Sequence, residues 1–307
     1  MGRLASLFVA AALLGLGVFW WLSAPSSQLL ESAQISDALT HKPDLENGER
    51  VFWASGCASC HAEKGAKEAQ KLLLGGGHRL HTPFGTFVTP NISSDTDTGI
   101  GKWTITDFAK AMLDGVSPDG KHYYPSFPYN SYNNMTAPDL VDLFEYLKAL
   151  PAVSRQNEEH DLALPFQWRR PLGIWKLMFV DQGSPTNIDE DDEAHLRGRY
   201  LAEVLGHCGE CHTPRSFLGG LKTGAWLAGG AAPEGEGRIP NITPHSDGIG
   251  SWSRSDIVYY LESGFTPDFD SVGGTMTYVQ QNMAKLPKED LEAIAAYLKA
   301  IPSVPSN

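Results

Sequence analysis

Cys57-Ala58-Ser59-Cys60-His61 in the first half of the chain is answered by Cys208-Gly209-Glu210-Cys211-His212 in the second, 151 positions later. The closing segments keep that displacement: DLVDLFEYLKALPAV at 139–153 stands against DLEAIAAYLKAIPSV at 290–304. Between them, Pro90-Asn91-Ile92 pairs with Pro240-Asn241-Ile242, and Gly99-Ile100-Gly101-Lys102-Trp103 with Gly248-Ile249-Gly250-Ser251-Trp252. Ordered matches at one nearly constant offset mark a duplicated module. In each copy, apolar residues at helical spacing lead into the cysteine motif (Asn47 onward, Ala194 onward). Thr106-Asp107-Phe108 and Ser255-Asp256-Ile257 read as the capped start of a second helix that ends near Gly115 and Gly264. A third helix opens near Pro138 and Pro287 and stops before Pro151 and Pro302. No alternating run exceeds a few residues, so the expected class is mainly α.

All four cysteines of the chain lie in these two motifs. Two thiols one helical turn apart suit thioether attachment to the two vinyl groups of a haem, with the adjacent histidine as axial iron ligand. A redox dithiol of this spacing belongs near a βαβ pattern, which neither copy has. A compact zinc ribbon does not tolerate so long a separation between cysteine pairs. Structural disulfides would leave His61 and His212 without a purpose. The expectation is two covalently bound haem c groups, with Cys57, Cys60 and His61 holding the first and Cys208, Cys211 and His212 the second. Pro90 and Pro240 are candidates for the carbonyl that orients each histidine; a plain loop turn is the competing reading of Pro-Asn-Ile.

A methionine opposite the histidine closes the iron and raises its potential. Met276, in Gly273-Gly274-Thr275-Met276, is the expected sixth ligand of the second haem, with Met283 as alternative. For the first haem the choice falls on Met135, ahead of the third helix, over Met112, which sits inside the second helix where methionine fills core gaps. His78, His81 or His122 in that role would lower the potential.

Residues 4–22, LASLFVAAALLGLGVFWWL, carry no charge and follow Arg3. Such a length crosses a bilayer as a helix, and the basic residue places the N-terminus in the cytoplasm, with Trp20 and Trp21 at the far interface. A cleaved signal peptide is the alternative, and either exports the rest. The expected division is an anchor at 1–24, a first module at 25–150, a packed linker at 151–188 and a second module at 189–307. The linker is interrupted by Pro151, Pro165, Pro171 and Pro185, yet it is rich in Phe166, Trp168, Trp175 and similar side chains. It reads as a segment packed across both modules, or as a surface element lying on the bilayer.

At 42% hydrophobic and 20% charged residues the composition is that of a globular protein, not a disordered one. The net charge of -12 is shared by both modules, which would repel a nucleic-acid backbone and steer partners with a basic docking face toward the protein; charge that simply keeps the protein soluble is the competing reading. The acidic run Asp189–Glu193 stands where negative charge suits a helix N-terminus.

Beyond these residues, the chain resembles the membrane-bound dihaem cytochrome c family related to the cytochrome subunit of bacterial alcohol and aldehyde dehydrogenases. The resemblance is carried by CASCH at 57–61, TPNISSDTDTGIGKW at 89–103, YPSFPY at 124–129, YNNM at 132–135, GRYLAEVLGHCGECHTPR at 198–215, NITP at 241–244 and AAYLKAIP at 295–302. It implies two class I-like cytochrome c folds that move single electrons in the periplasm, tethered by one span to the bacterial inner membrane. The implied donor is a periplasmic dehydrogenase, and the implied acceptor a small cytochrome, quinone or terminal oxidase. Two departures stand out: related subunits often carry three C-x-x-C-H motifs, and Phe127 occupies a place where some relatives have methionine. The rival readings are a dihaem enzyme, such as a peroxidase or thiosulfate-oxidising cytochrome, and a haem-bearing membrane anchor for a soluble dehydrogenase.

Overall fold

The computed structural model describes residues 2–25, 40–180, 183–232 and 237–306. Helix α1 (Gly2–Leu22) stands apart, its apolar side chains from Leu4 to Leu22 unburied. Its end meets the rest: Ser23 is buried, and its carbonyl accepts from His122 Nε2 at 3.0 Å.

The first copy begins with α2 (Leu45–Ala54), N-capped by the Asp44 side chain, and runs into α3 (Cys57–His61). Strands β1 (Arg79–Thr82) and β2 (Gly85–Val88) form a small hairpin. Helix α4 (Ile105–Ala109) continues as a wide π turn, Lys110–Asp114, to Gly115, and α5 (Tyr129–Tyr132) precedes α6 (Ala137–Ala149). The linker contributes β3 (Asp161–Leu162), antiparallel to β2, and α7 (Leu172–Phe179). In the second copy the order is α8 (Glu193–Arg199), a π turn at Tyr200–Leu205, α9 (Gly209–His212), β4 (Gly230–Ala231), β5 (Arg238–Ile239), α10 (Arg254–Ser263), α11 (Met276–Met283) and α12 (Lys288–Ala300). The mainly helical class with two repeated units matches the sequence expectation.

In each copy the first and last helices cross at a glycine. A Cβ on Gly48 would lie 2.3 Å from the Asp142 carbonyl oxygen, and one on Gly198 would lie 1.9 Å from that of Ala293. The absent side chain is what lets the backbones meet. From this crossing to the first motif cysteine there are nine residues in the first copy (Gly48 to Cys57) and ten in the second (Gly198 to Cys208). The π turn at Tyr200–Leu205 absorbs the extra residue without moving the ends of the helix.

The second helices are capped two residues earlier than expected. Thr104 and Ser253 are the N-caps, and Asp107 and Asp256 close reciprocal capping boxes from the third helical position. The Asp192 side chain caps α8 by accepting from the Ala194 and His195 amides, which gives the acidic run its place at a helix start.

The linker touches both copies. Lys176 Nζ donates to the carbonyls of Asp114 and Gly115 at 2.6 and 2.8 Å, and Trp175 Nε1 to that of Leu218 at 2.8 Å. At the start of α7, Gly173 lies under the end of α1, where a Cβ would sit 2.6 Å from the Ser23 carbonyl oxygen. Arg170 lies over the Trp20 ring at 4.1 Å while its Nε donates to Ser23 Oγ.

Candidate haem sites

Each motif sits at a sharp exit from the first helix of its copy. Gly56, at φ 64°, turns the chain into α3. In the second copy His207 makes the corresponding turn at φ 38°, a conformation rare for a residue with a Cβ.

Both histidines are oriented by backbone. His61 Nδ1 lies 2.8 Å from the Pro90 carbonyl oxygen, and His212 Nδ1 lies 2.8 Å from that of Pro240. A carbonyl only accepts, so Nδ1 carries the proton and Nε2 keeps the lone pair that a metal needs. Burial pushes the His61 imidazole down to about 4 and the His212 imidazole below its usual value, so both are neutral at physiological pH. Pro90 and Pro240 thus fill the orienting role considered from the sequence. Burial also pushes the Cys57 and Cys208 thiols up to about 12, the opposite of an activated redox thiolate. Among the described residues no group of three His, Cys, Asp or Glu side chains is placed to hold a bare metal ion.

Both motifs open on one continuous cavity of about 2400 Å³, more than twice the upper end of the roughly 300–1,000 Å³ of an ordinary small-ligand pocket. Its walls near the first motif include Ile100, Phe108 and Leu143, and near the second Ile249, Ile257 and Leu298. Apolar walls, paired cysteines and a neutral histidine with a free Nε2 fit a large hydrophobic macrocycle with a central metal. Trp103 and Trp252 line the same cavity and pack against the core.

Of the methionines named from the sequence, Met276, Met283 and Met112 line the cavity. Met135 does not: it is 1% exposed and packed in the hydrophobic core. The position ahead of the last helix, which favoured Met135 in the sequence, places it among core side chains, while Phe127 faces the cavity. Of the histidine alternatives, His122 is buried against the end of α1, whereas His78 and His81 lie on the cavity lining.

The residues between the paired cysteines have a role that the sequence did not disclose. Ser59 Oγ, inside the first motif, accepts from Asn282 Nδ2 of the second copy at 2.8 Å. Glu210, inside the second motif, accepts from Asn130 Nδ2 of the first copy at 2.5 Å and is also paired with Arg215. A second pair of contacts repeats the reciprocity. Arg50 Nε donates to Asp290 Oδ2 at 2.5 Å, and Tyr200 OH donates to Asp139 Oδ2 at 2.6 Å. Arg50 and Tyr200 stand at matching places in the two first helices, as Asp139 and Asp290 do in the two last helices. Contacts of i with j and of j with i are what an approximate twofold relation between the copies produces. One hydrophobic cluster accordingly runs through both, from Phe52 and Leu143 to Leu205 and Tyr297.

Comparison with known proteins agrees with this picture. Residues 45–151 match the family model for cytochrome c. The chain is 54% identical over 263 residues to a diheme cytochrome c-type protein of Cereibacter sphaeroides, a match covering 85% of this chain and 87% of that protein. It is 36% identical to the fructose dehydrogenase cytochrome subunit of Gluconobacter japonicus, covering 92% of this chain and 57% of the relative. It is also 36% identical to the cytochrome c subunit of the quinone alcohol dehydrogenase of Gluconobacter oxydans, covering 85% and 55%. The chain therefore spans little more than half the length of these two dehydrogenase subunits.

Proposed function

This chain belongs to the cytochrome c family and is an electron-transfer protein carrying covalent haem c, and from that premise we propose that it is a dihaem cytochrome which takes single electrons from a periplasmic dehydrogenase. In this reading Cys57, Cys60 and His61 hold one haem and Cys208, Cys211, His212 and Met276 the other. The haem iron supplies a one-electron couple; the residues of the chain fix each imidazole, enclose the porphyrin in apolar walls and exclude water. Onward transfer goes to a small cytochrome, a quinone or a terminal oxidase. The observation that carries the proposal is the matched pair of motifs, each with its histidine tied to a proline carbonyl and both opening on one cavity. The dehydrogenase donor is argued from relatives whose names describe dehydrogenase cytochrome subunits.

The proposed division is an anchor at 1–24, haem modules at 25–150 and 189–307, and the linker at 151–188 between them. The proposed site is the periplasmic face of the inner membrane, with α1 as the single span. It is supported by 19 consecutive residues from Leu4 to Leu22 of mean hydropathy 2.0. Exposed Trp168, Leu177 and Phe217 on and near the linker are suited to rest at a lipid interface. The test is purification from native membranes in mild detergent. Haem content of two per chain, an N-terminus that retains α1, and a flavin, molybdenum or quinone dehydrogenase in the same complex are the expected results. Brisk turnover of peroxide or thiosulfate by the purified chain alone would overturn the carrier reading.

A further inference from the structure

The loop that carries Met276 in the second copy has an exact counterpart in the first, and the residue at the matching position is Phe127. The register is fixed by backbone bonds. Gly115 and Gly264, at φ 60° and 80°, end the second helices. The Tyr123 amide donates to the Gly115 carbonyl at 2.8 Å, as the Val272 amide does to that of Gly264 at 2.7 Å. Ser117 and Lys121 are bonded as Thr266 and Asp270 are, and the bridge Val116–His122 repeats as Phe265–Ser271. Every pair is displaced by 149 positions, and the same displacement carries Phe127 onto Met276. Both residues line the haem cavity and pack half-buried against the core.

Past this loop the offset returns to 151, because the second copy has two more residues ahead of its last helix. That shift sets Met135 opposite Leu286, and both are core side chains. Met112 matches Leu261, again a buried packing position.

A thioether has a lone pair to give to iron; a phenyl ring has none. Resting on the dihaem reading above, we infer that the first haem lacks a methionine ligand and binds a small neutral diatomic molecule at its iron, whereas Met276 closes the second haem to such ligands. The walls suit an uncharged guest. Phe127 is packed against Tyr132 at 5.9 Å between ring centres, and the Tyr132 hydroxyl already donates to the Ser55 carbonyl at 2.9 Å.

The test is titration of the reduced full-length dihaem protein, in detergent, with carbon monoxide. One molecule bound per chain, at half of the total haem, is the expected result. Phe127→Met should abolish that binding, add a second iron–methionine charge-transfer band and raise the potential of the first haem. Met276→Ala should increase the stoichiometry to two. No binding by the wild-type protein overturns the inference, and Met112→Leu or a His78 or His81 substitution that then opens a site names the ligand responsible. Two molecules bound by the wild-type protein, or a Phe127→Met variant that still binds one, overturns it as well. A preparation without haem would instead sink the dihaem reading, so the two failures are distinguishable.

Discussion

The two copies share a frame and differ at the point where chemistry is set. In both, the first and last helices cross at a glycine, a proline carbonyl fixes the histidine and a bridged loop returns toward the cavity. On that loop one copy presents Met276 and the other Phe127. The frame depends on backbone and is conserved in detail between halves, whereas the residue facing the cavity is one side chain on a loop. A duplicated electron carrier can therefore diverge in the properties of its two centres without disturbing the fold that holds them.

The comparison breaks most completely if a motif is removed. Cys57→Ala with Cys60→Ala should leave one haem per chain, and Cys208→Ala with Cys211→Ala should leave the other; haem content by mass and absorbance should fall by half in each case. Next in size are the glycine crossings. Gly198→Ala should destabilise the second copy by about 1–3 kcal/mol, because its Cβ would meet the Ala293 carbonyl oxygen at 1.9 Å and the helices must separate. Gly48→Ala should act similarly on the first, and thermal melting of the two variants compares the halves directly.

The reciprocal interface permits a finer comparison. Asp290 is held by Arg50 and Arg197 together, so Arg50→Ala leaves a buried carboxylate with one cation; chemical denaturation should show a loss of about 1.5–3 kcal/mol. The matching contact uses a neutral hydroxyl, and Tyr200→Phe should cost less, about 1 kcal/mol. Acid probes the first of these contacts. Burial raises the Asp290 carboxyl, but the hydrogen bonds and charges of Arg50 and Arg197 outweigh it and hold the group below its ordinary value. Its contribution is therefore present above an unfolded carboxylate value of about 3.9 and is lost as pH falls through the lower folded value. Melting temperatures between pH 6 and pH 3 should fall less steeply for Asp290→Asn than for wild type, a small effect next to the others.

Much of this architecture is legible in the sequence because it rests on residue types with few uses. The C-x-x-C-H pairs, the Pro-Asn-Ile segments and the glycines that end the second helices all point to backbone features, and each is where the repeat predicts. The sixth position of the first haem is harder. Met135 precedes the last helix much as an axial methionine would, and its sulfur is the obvious candidate. Only the turn register, which changes from 149 to 151 beyond the loop, reveals that Met135 stands opposite Leu286. Ser59 and Glu210 escape notice for a different reason: the residues between motif cysteines have no typical identity, and their partners Asn282 and Asn130 lie 223 and 80 positions away. The π turn at Tyr200–Leu205 is likewise silent until the residues between crossing and motif are counted in both halves.

The span between Arg50 and Asp290 is 240 residues. At a synthesis rate of roughly 5–20 residues per second, the arginine emerges on the order of tens of seconds before the aspartate that pairs with it. Until residues 200 and 210 follow, which is earlier than Asp290, the N-terminal half exposes the face that will later be covered, with Asp139 still without Tyr200 and Asn130 without Glu210. Within the early half the Asn47 side-chain amide bridges Asp139 and Asp142, while His41 and the Asp44 backbone amide also engage Asp142. These bonds lie entirely within the half that is made first, so none of them depends on the arrival of the second.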